Sequence, residues 1–258
     1  MTKTNIHREV IAVSKSYHDT VALYGRSFFR FMGIAFIPTA LTFVLINAFT
    51  LFALTTYASG RMAYFIATML VIVTIILIQV WAFIALIYIS LHHETSTVAE
   101  SFHHALHFFW RFVKLGLAVS GIFFLSFLAG YIVVGIIGII LGHFSLSVLN
   151  STFDWLTLIP LGVSAVVSTY YLFAPFSIID THAGTIAALK HSRHLVRGHF
   201  WPTAIRVVLL YVVVGMFTYA FQYVPAVGSI LSLLLVSPFS VIYLSVLYRE
   251  LTVSKPLS

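Results

Sequence analysis

The stretch MAYFIATMLVIVTIILIQVWAFIALIYISL, from Met62 to Leu91, holds no charged residue. A transmembrane helix needs about 20 mostly apolar residues, so this stretch is long enough to cross a bilayer with a tilt or to protrude from it. Its apolar run is continuous rather than alternating, which disfavours a strand of a membrane barrel. The stretch therefore predicts a membrane-spanning helix.

Five further stretches of the chain have the same character. They run from Phe31 to Thr55, Val113 to Leu141, Trp155 to Ile179, Trp201 to Phe221 and Ala226 to Tyr248. The first begins too late and is too long for the apolar core of a cleavable signal peptide, so we expect it to be retained. The predicted fold is all-α, an integral membrane bundle of six transmembrane helices that forms one membrane domain over residues 1–258.

The composition agrees with a membrane protein. Hydrophobic residues make up 60% of the 258 residues and charged residues only 8%, against about 25% charged residues in a soluble domain. This excludes a soluble globular domain, and the high hydrophobicity excludes a disordered chain. The absence of cysteine excludes disulfides, thiolate metal sites and cysteine nucleophiles.

The formal net charge of +7 is explained by membrane topology rather than by nucleic acid. All but two of the 14 lysines and arginines fall on the side that carries both termini and the two long connections; the exceptions are Arg61 and Arg206. Because basic loops stay in the cytoplasm, we expect both termini to be cytoplasmic in a bacterial inner membrane.

The two long connections resemble each other. TVAESFHHALHFFWRF (Thr97 to Phe112) aligns without gaps on TIAALKHSRHLVRGHF (Thr185 to Phe200), and SYHDTVALYGRSFFRF (Ser16 to Phe31) fits the same frame more weakly. The span ends APFSII and SPFSVI also recur. Because internal repeats define a fold, we predict three repeats of one helix followed by two spans, over about residues 8–91, 95–180 and 182–250.

The connecting segments are predicted to be amphipathic helices at the membrane interface. Thr97 and Glu100 have the spacing of a capping box. In the later copy, cationic side chains recur at the spacing of one helical face. Basic residues beside a membrane attract anionic lipid headgroups, although the same charges also serve as a plain topology signal. The predicted headgroup contacts are Lys190, Arg193, His194, Arg197, Arg111 and Lys114.

Two stretches carry a family resemblance. They are LFAPFSIIDTHAGTIAALKHSRHLVRGHFW (Leu172 to Trp201) and SPFSVIYLSVLYREL (Ser237 to Leu251). The chain resembles a bacterial membrane family that contains the YciC-like proteins and the membrane domain of glycerophosphoryl diester phosphodiesterases. The resemblance implies a multipass fold and carries over no active site, since the soluble phosphodiesterase domain of some relatives is not present here.

Arg206 and Asp180 are candidate intramembrane polar sites. An ionisable residue within a span is a functional hypothesis, but Arg206 lies near a span end, where arginine can snorkel, and Asp180 is its expected ion-pair partner. Glu100, His103 and His107 share a helix face, yet a metal site needs ligands from a second helix. No spacing supports a hydrolase, so we expect no enzyme activity, no metal and no cofactor.

Small residues in span three predict close helix contact. Ser126 with Gly130, and Gly138 with Gly142, have the spacing of small-xxx-small pairs. Such pairs occur between helices of one bundle and also between copies of a protein. The contact therefore lies within the chain or at an oligomer interface.

Two functions remain open from the sequence. The first is a non-enzymatic bacterial inner-membrane protein of envelope organisation or scaffolding, whose partners are the phospholipid bilayer, anionic lipid and a further membrane protein or a second copy of the chain. The second is a transporter or permease for a small or lipid-like solute. A transporter needs a polar cavity near the midplane, reached by Asn47, Gln79, Ser164 or Arg206.

Overall fold

The computed structural model describes residues 16–56, 61–92, 96–142, 158–224 and 228–254. Within these ranges the chain is helical and no strand occurs. A first helix, α1, covers residues 16–26. The others are α2 (Phe28–Thr56), α3 (Arg61–Leu91), α4 (Val98–Gly142), α5 (Leu158–Tyr171), α6 (Ala174–Asp180), α7 (Thr185–Val196), α8 (Phe200–Gln222) and α9 (Gly228–Ser254).

Six segments of the described chain are long and apolar enough to cross a membrane, which confirms the six predicted spans. They lie in α2, α3, α4, the α5–α6 pair, α8 and α9. Helices that follow each other pack together, α2 against α3, α4 against α5, and α8 against α9. Each of these pairs is a helical hairpin, and α3 also packs against α4.

Helix α4 differs from the sequence prediction. It runs without interruption through 45 residues, whereas we predicted a separate interfacial helix before a span that begins at Val113. At 1.5 Å per residue the helix is about 68 Å long, more than twice the hydrocarbon thickness. The capping box is confirmed, because the Thr97 N–H donates to Glu100 Oε2 at 2.8 Å and the Glu100 N–H to Thr97 Oγ1 at 3.3 Å.

The fourth span is broken, although the sequence predicted one continuous helix. Helix α5 ends at Tyr171, and α6 begins at Ala174 with Pro175 in its first turn. Proline has no N–H to donate and its ring clashes with the carbonyl four residues earlier, so an α-helix cannot continue smoothly through this position. Residues 143–157, which include the predicted start of this span at Trp155, lie outside the described residues.

The buried core lies at one end of the bundle. Its largest fully buried side chains include Phe31, Phe108, Phe173, Phe176 and Tyr243. Here α1, the end of α3, the start of α4, α6, α7 and the last turns of α9 meet. We call this the basic end, because it holds Arg111, Arg193 and Arg249.

Away from the basic end, large apolar side chains are exposed along the spans. Leu70, Phe124, Ile132 and Met216 are all more than half exposed. Exposure of so many apolar groups to water would be unfavourable at about 25 cal/mol per Å². Lipid tails remove that cost, so the surface matches a bundle immersed in a bilayer.

A close contact joins α4 to α5. A Cβ atom built on Gly130 would lie 2.7 Å from the Cα atom of Pro160. Glycine therefore allows the two backbones to approach. Gly130 of the predicted Ser126–Gly130 pair thus serves contact within the chain. The side-chain surroundings of the Gly138–Gly142 pair lie outside the described part.

Candidate functional site at the basic end

Helix α7 carries most of the predicted headgroup contacts. Lys190, Arg193, His194 and Arg197 are exposed, as predicted for one helical face. The opposite face is buried through Ala188, Ser192, Leu195 and Val196. Because α7 uses its apolar side for packing, its cationic side is presented to the surroundings.

Ser192 fixes α7 to the break in the fourth span. Its hydroxyl donates to the Tyr170 carbonyl at 2.8 Å and accepts from the Phe173 N–H at 3.2 Å. Both backbone groups lie at the break, where they have lost helical partners, and an unpaired buried group costs about 1–3 kcal/mol. Irregular backbone at membrane depth is tolerated where the protein satisfies it. The break and the basic helix are therefore one structural unit.

A groove lies beside this unit. It has a volume of about 420 Å³, which is within the range typical of ligand sites, and Arg193 and Arg197 border it. Its remaining walls come from Ile122 of α4 and from Val166 and Tyr170 of α5. Two arginines thus lie at the edge of an apolar surface.

The other two predicted headgroup contacts, Arg111 and Lys114, differ in their exposure. Lys114 is exposed on α4. Arg111 is half-buried, and its Nη1 donates to the His182 carbonyl at 2.9 Å. His182 has a φ of 53° and its ring stacks on Phe108 with 5.3 Å between centroids. Arg111 therefore holds the α6–α7 connection, while Lys114 is available to a headgroup.

Arg206 has a different partner from the one expected. Its Nη1 lies 2.9 Å from Glu250 Oε2 near the end of α9, rather than against Asp180. Glu250 Oε1 also accepts from Ser16 Oγ at 2.8 Å, which ties α1 to the same pair. The Arg206 side chain is only 12% exposed. The ion pair therefore joins α1, α8 and α9 and gives Arg206 a structural role.

Asp180 takes part in a second polar cluster. Its Oδ2 accepts from the Tyr248 hydroxyl at 2.9 Å. Nearby, His191 Nδ1 and Ser177 Oγ share a hydrogen bond of 2.8 Å. Burial lowers the pKa of His191, and the Asp180 carboxylate opposes part of that shift. A neutral His191 is thus favoured between α6 and α7.

The described residues give no support to a metal centre. Among them, no group of three or more histidines, aspartates and glutamates could hold a metal ion. Instead, the rings of His92 and His104 each stack with the ring of Tyr88, with 4.7 Å between centroids. Glu100 is engaged in its capping box. Among the described residues of this connection, His92 and His104 therefore serve stacking and Glu100 serves capping.

The polar residues expected of a transporter occupy separate environments. Gln79 donates to Thr42 at 3.3 Å and borders a cavity of about 220 Å³ between α2, α3 and α9. Asn47 donates to the Phe43 carbonyl of its own helix. Ser164 is buried on α5, and Arg206 is paired at the basic end. These four residues do not meet in the described structure.

Sequence reasoning missed Glu250, Ser192 and Arg249. Arg249 Nη2 donates to the Leu91 carbonyl, which closes the end of α3. Charge alone narrows the partners of Arg206, since Glu250 is one of only seven acidic residues and lies on the same side as Arg206, but it does not single out Glu250. Ser192 offered no comparable signal, because serine is common on interfacial helices.

The fold defines the class of protein. Six apolar helices in hairpins, with an apolar surface along the spans, are those of a multi-pass α-helical membrane protein. Comparison with known protein families, with curated proteins and with solved structures found no match.

Proposed function

We propose that this chain is a non-enzymatic bacterial inner-membrane protein that contacts anionic lipid through basic cytoplasmic helices. Its role would be envelope organisation or scaffolding for a lipid-metabolising partner. The observation that carries the proposal is the face of α7, where Lys190, Arg193, His194 and Arg197 are exposed on a helix whose other side is packed. Each lysine or arginine near a membrane surface contributes about 1 kcal/mol of attraction to anionic lipid.

The proposed orientation has both termini in the cytoplasm. It rests on the concentration of lysine and arginine at the basic end. Two tryptophans support an interface at this level, since Trp110 is 70% and Trp201 69% exposed. Tryptophan prefers the headgroup region, where its ring is apolar and its N–H stays hydrated.

The proposed threefold repeat has a simple structural basis. Each hairpin is preceded by a helical segment at the basic end: α1 before α2 and α3, the first turns of α4 before α5, and α7 before α8 and α9. In this proposal the three segments form one cytoplasmic platform on which the hairpins stand.

The test compares lipid that copurifies with the protein against lipid of the source membrane. We expect the wild-type protein to be enriched in anionic lipid, and the variant K190Q/R193Q/R197Q to lose most of that enrichment. The control K3Q/R8Q/K15Q removes the same charge from the N-terminal segment and should keep it. Wild-type protein that carries lipid in membrane proportions would contradict the proposal.

One observation favours the alternative of a permease. Hydroxyl and amide side chains line a groove of about 310 Å³ between α8 and α9, including Thr218, Gln222, Ser232 and Ser240. Ser237 borders both this groove and the cavity beside Gln79. Polar groups lining a cavity within the spans are typical of a solute path. A permease of this kind requires water at Ser237.

A further inference from the structure

The groove beside α7 combines two chemistries, a cationic rim and an apolar wall. Arg193 and Arg197 are one helical turn apart and border its rim. The wall below them is apolar and aromatic, with Ile122, Val166, Tyr170 and Tyr171. A ligand that fits must be anionic at one end and apolar along the rest of its length.

The two arginines are held at a fixed height above that wall. Ser192 directly precedes Arg193 in the sequence and donates to the Tyr170 carbonyl, so α7 cannot slide along α5 without breaking that bond. The Tyr170 ring stacks on Phe200 at 5.1 Å between centroids, which fixes the wall where α8 begins. The groove is thus organised before any ligand arrives, and this lowers the cost of binding.

The charge around the groove favours an anion. Of the acidic residues in the described ranges, Asp180 bonds Tyr248, Glu250 pairs with Arg206, and Glu100 caps its own helix. Asp19 lies beside His18 on α1. None of these four carboxylates lines the groove, so among the described residues its rim is positive. Arginine binds phosphate oxygens through two parallel N–H bonds.

We propose that this groove binds one anionic phospholipid, with its phosphate between Arg193 and Arg197 and one acyl chain against Ile122 and Val166. The inference rests on the proposed function and makes it specific, since it replaces diffuse attraction along the basic face by a single site. The occupant is a lipid rather than free phosphate, because the apolar wall is continuous with the rim.

Native mass spectrometry of the protein with added phosphatidylglycerol or phosphatidylcholine tests the site. We expect one phosphatidylglycerol to bind at least tenfold more tightly than phosphatidylcholine. The variant R193Q/R197Q should lose that preference. The variant R26Q/R30Q removes the same charge from exposed positions on α1 and α2, outside the groove, and should keep it. Ile122→Trp fills the wall without changing charge and should weaken binding at least fivefold.

The outcomes separate the site from the general proposal. If both double variants weaken binding equally, attraction is diffuse: the groove is wrong while anionic-lipid contact stands. If the wild-type protein shows no preference for phosphatidylglycerol, both proposals fail. If inorganic phosphate displaces the lipid and Ile122→Trp has no effect, the groove is an anion site without a lipid chain, which also overturns the inference. Correct folding of each variant is checked by its thermal melting curve.

Discussion

Replacement of Glu250 by glutamine is expected to lower the free energy of unfolding by about 3 kcal/mol, the lower end of the cost of breaking a buried ion pair. The substitution keeps the shape of the side chain but leaves the Arg206 guanidinium, only 12% exposed, without its counter-charge. It also weakens the hydrogen bond from Ser16 that ties α1 to the bundle. Unfolding by SDS titration in mixed micelles measures the change.

A double-mutant cycle distinguishes the observed partner from the one the sequence suggested. We expect R206M and E250Q to show a coupling energy of at least about 1 kcal/mol, because the two groups share one contact. R206M and D180N should be nearly additive, since Asp180 bonds Tyr248 instead. Coupling of Arg206 to Asp180 but not to Glu250 would contradict the described ion pair.

Replacement of Gly130 by alanine is expected to destabilise the bundle by about 2 kcal/mol, within the range for overpacking. The added methyl group would lie 2.7 Å from the Pro160 Cα atom, so the backbones of α4 and α5 must separate. The same SDS titration measures the effect. Since the contact joins two helices of one chain, the loss should not depend on protein concentration.

Gly121 provides the matched control on the same helix. A Cβ atom at Gly121 meets no atom within 4 Å, so Gly121→Ala should be neutral or slightly stabilising through its better helix propensity. Equal destabilisation by the two substitutions would show that helix α4 does not approach Pro160 as described.

The spans were predictable because a run of about 20 apolar residues has one common structural explanation, a helix that crosses the membrane. An apolar run such as Met62 to Leu91 is stable only in lipid or in a protein core. All six predicted spans correspond to helices in the described residues. The continuity of α4 was harder to predict, because nothing between Trp110 and Lys114 breaks a helix and polarity alone marked a boundary. The break before Pro175 could not be predicted from the presence of a proline, because Pro238 lies within α9 without ending that helix.

The exposed face of α7 was also predictable, because helical spacing places its cations together. Its partners were not, since a hydrogen bond such as Ser192 to Tyr170 depends on where another helix breaks. The pairing of Arg206 with Glu250 joins residues far apart in the chain, and several acidic residues near the basic end were equivalent on charge alone. Pairing between helices is fixed by packing, which the pattern of one chain does not reveal.

The repeat illustrates the same limit. Gapless alignment places Thr97 on Thr185 and Phe108 on Val196, and the last two are both buried. Other buried positions match one position out of step with that alignment, namely Ser101 and Ala105 in α4 with Ala188 and Ser192 in α7. The alignment therefore does not predict which residue of each helix faces the core, because side-chain volume at each contact decides that.

The side of the membrane on which the basic end lies can be measured with single cysteines, since the chain has none of its own. Ala187 is exposed on α7, Val224 follows α8 at the opposite end, and Ser237 lies between them on α9. With a membrane-impermeant maleimide, we predict that V224C is labelled in intact cells once the outer membrane is permeabilised. A187C should be labelled only after the inner membrane is opened, and S237C in neither condition. Labelling of A187C in cells with an intact inner membrane would contradict a cytoplasmic basic end, and labelling of S237C would favour a permease.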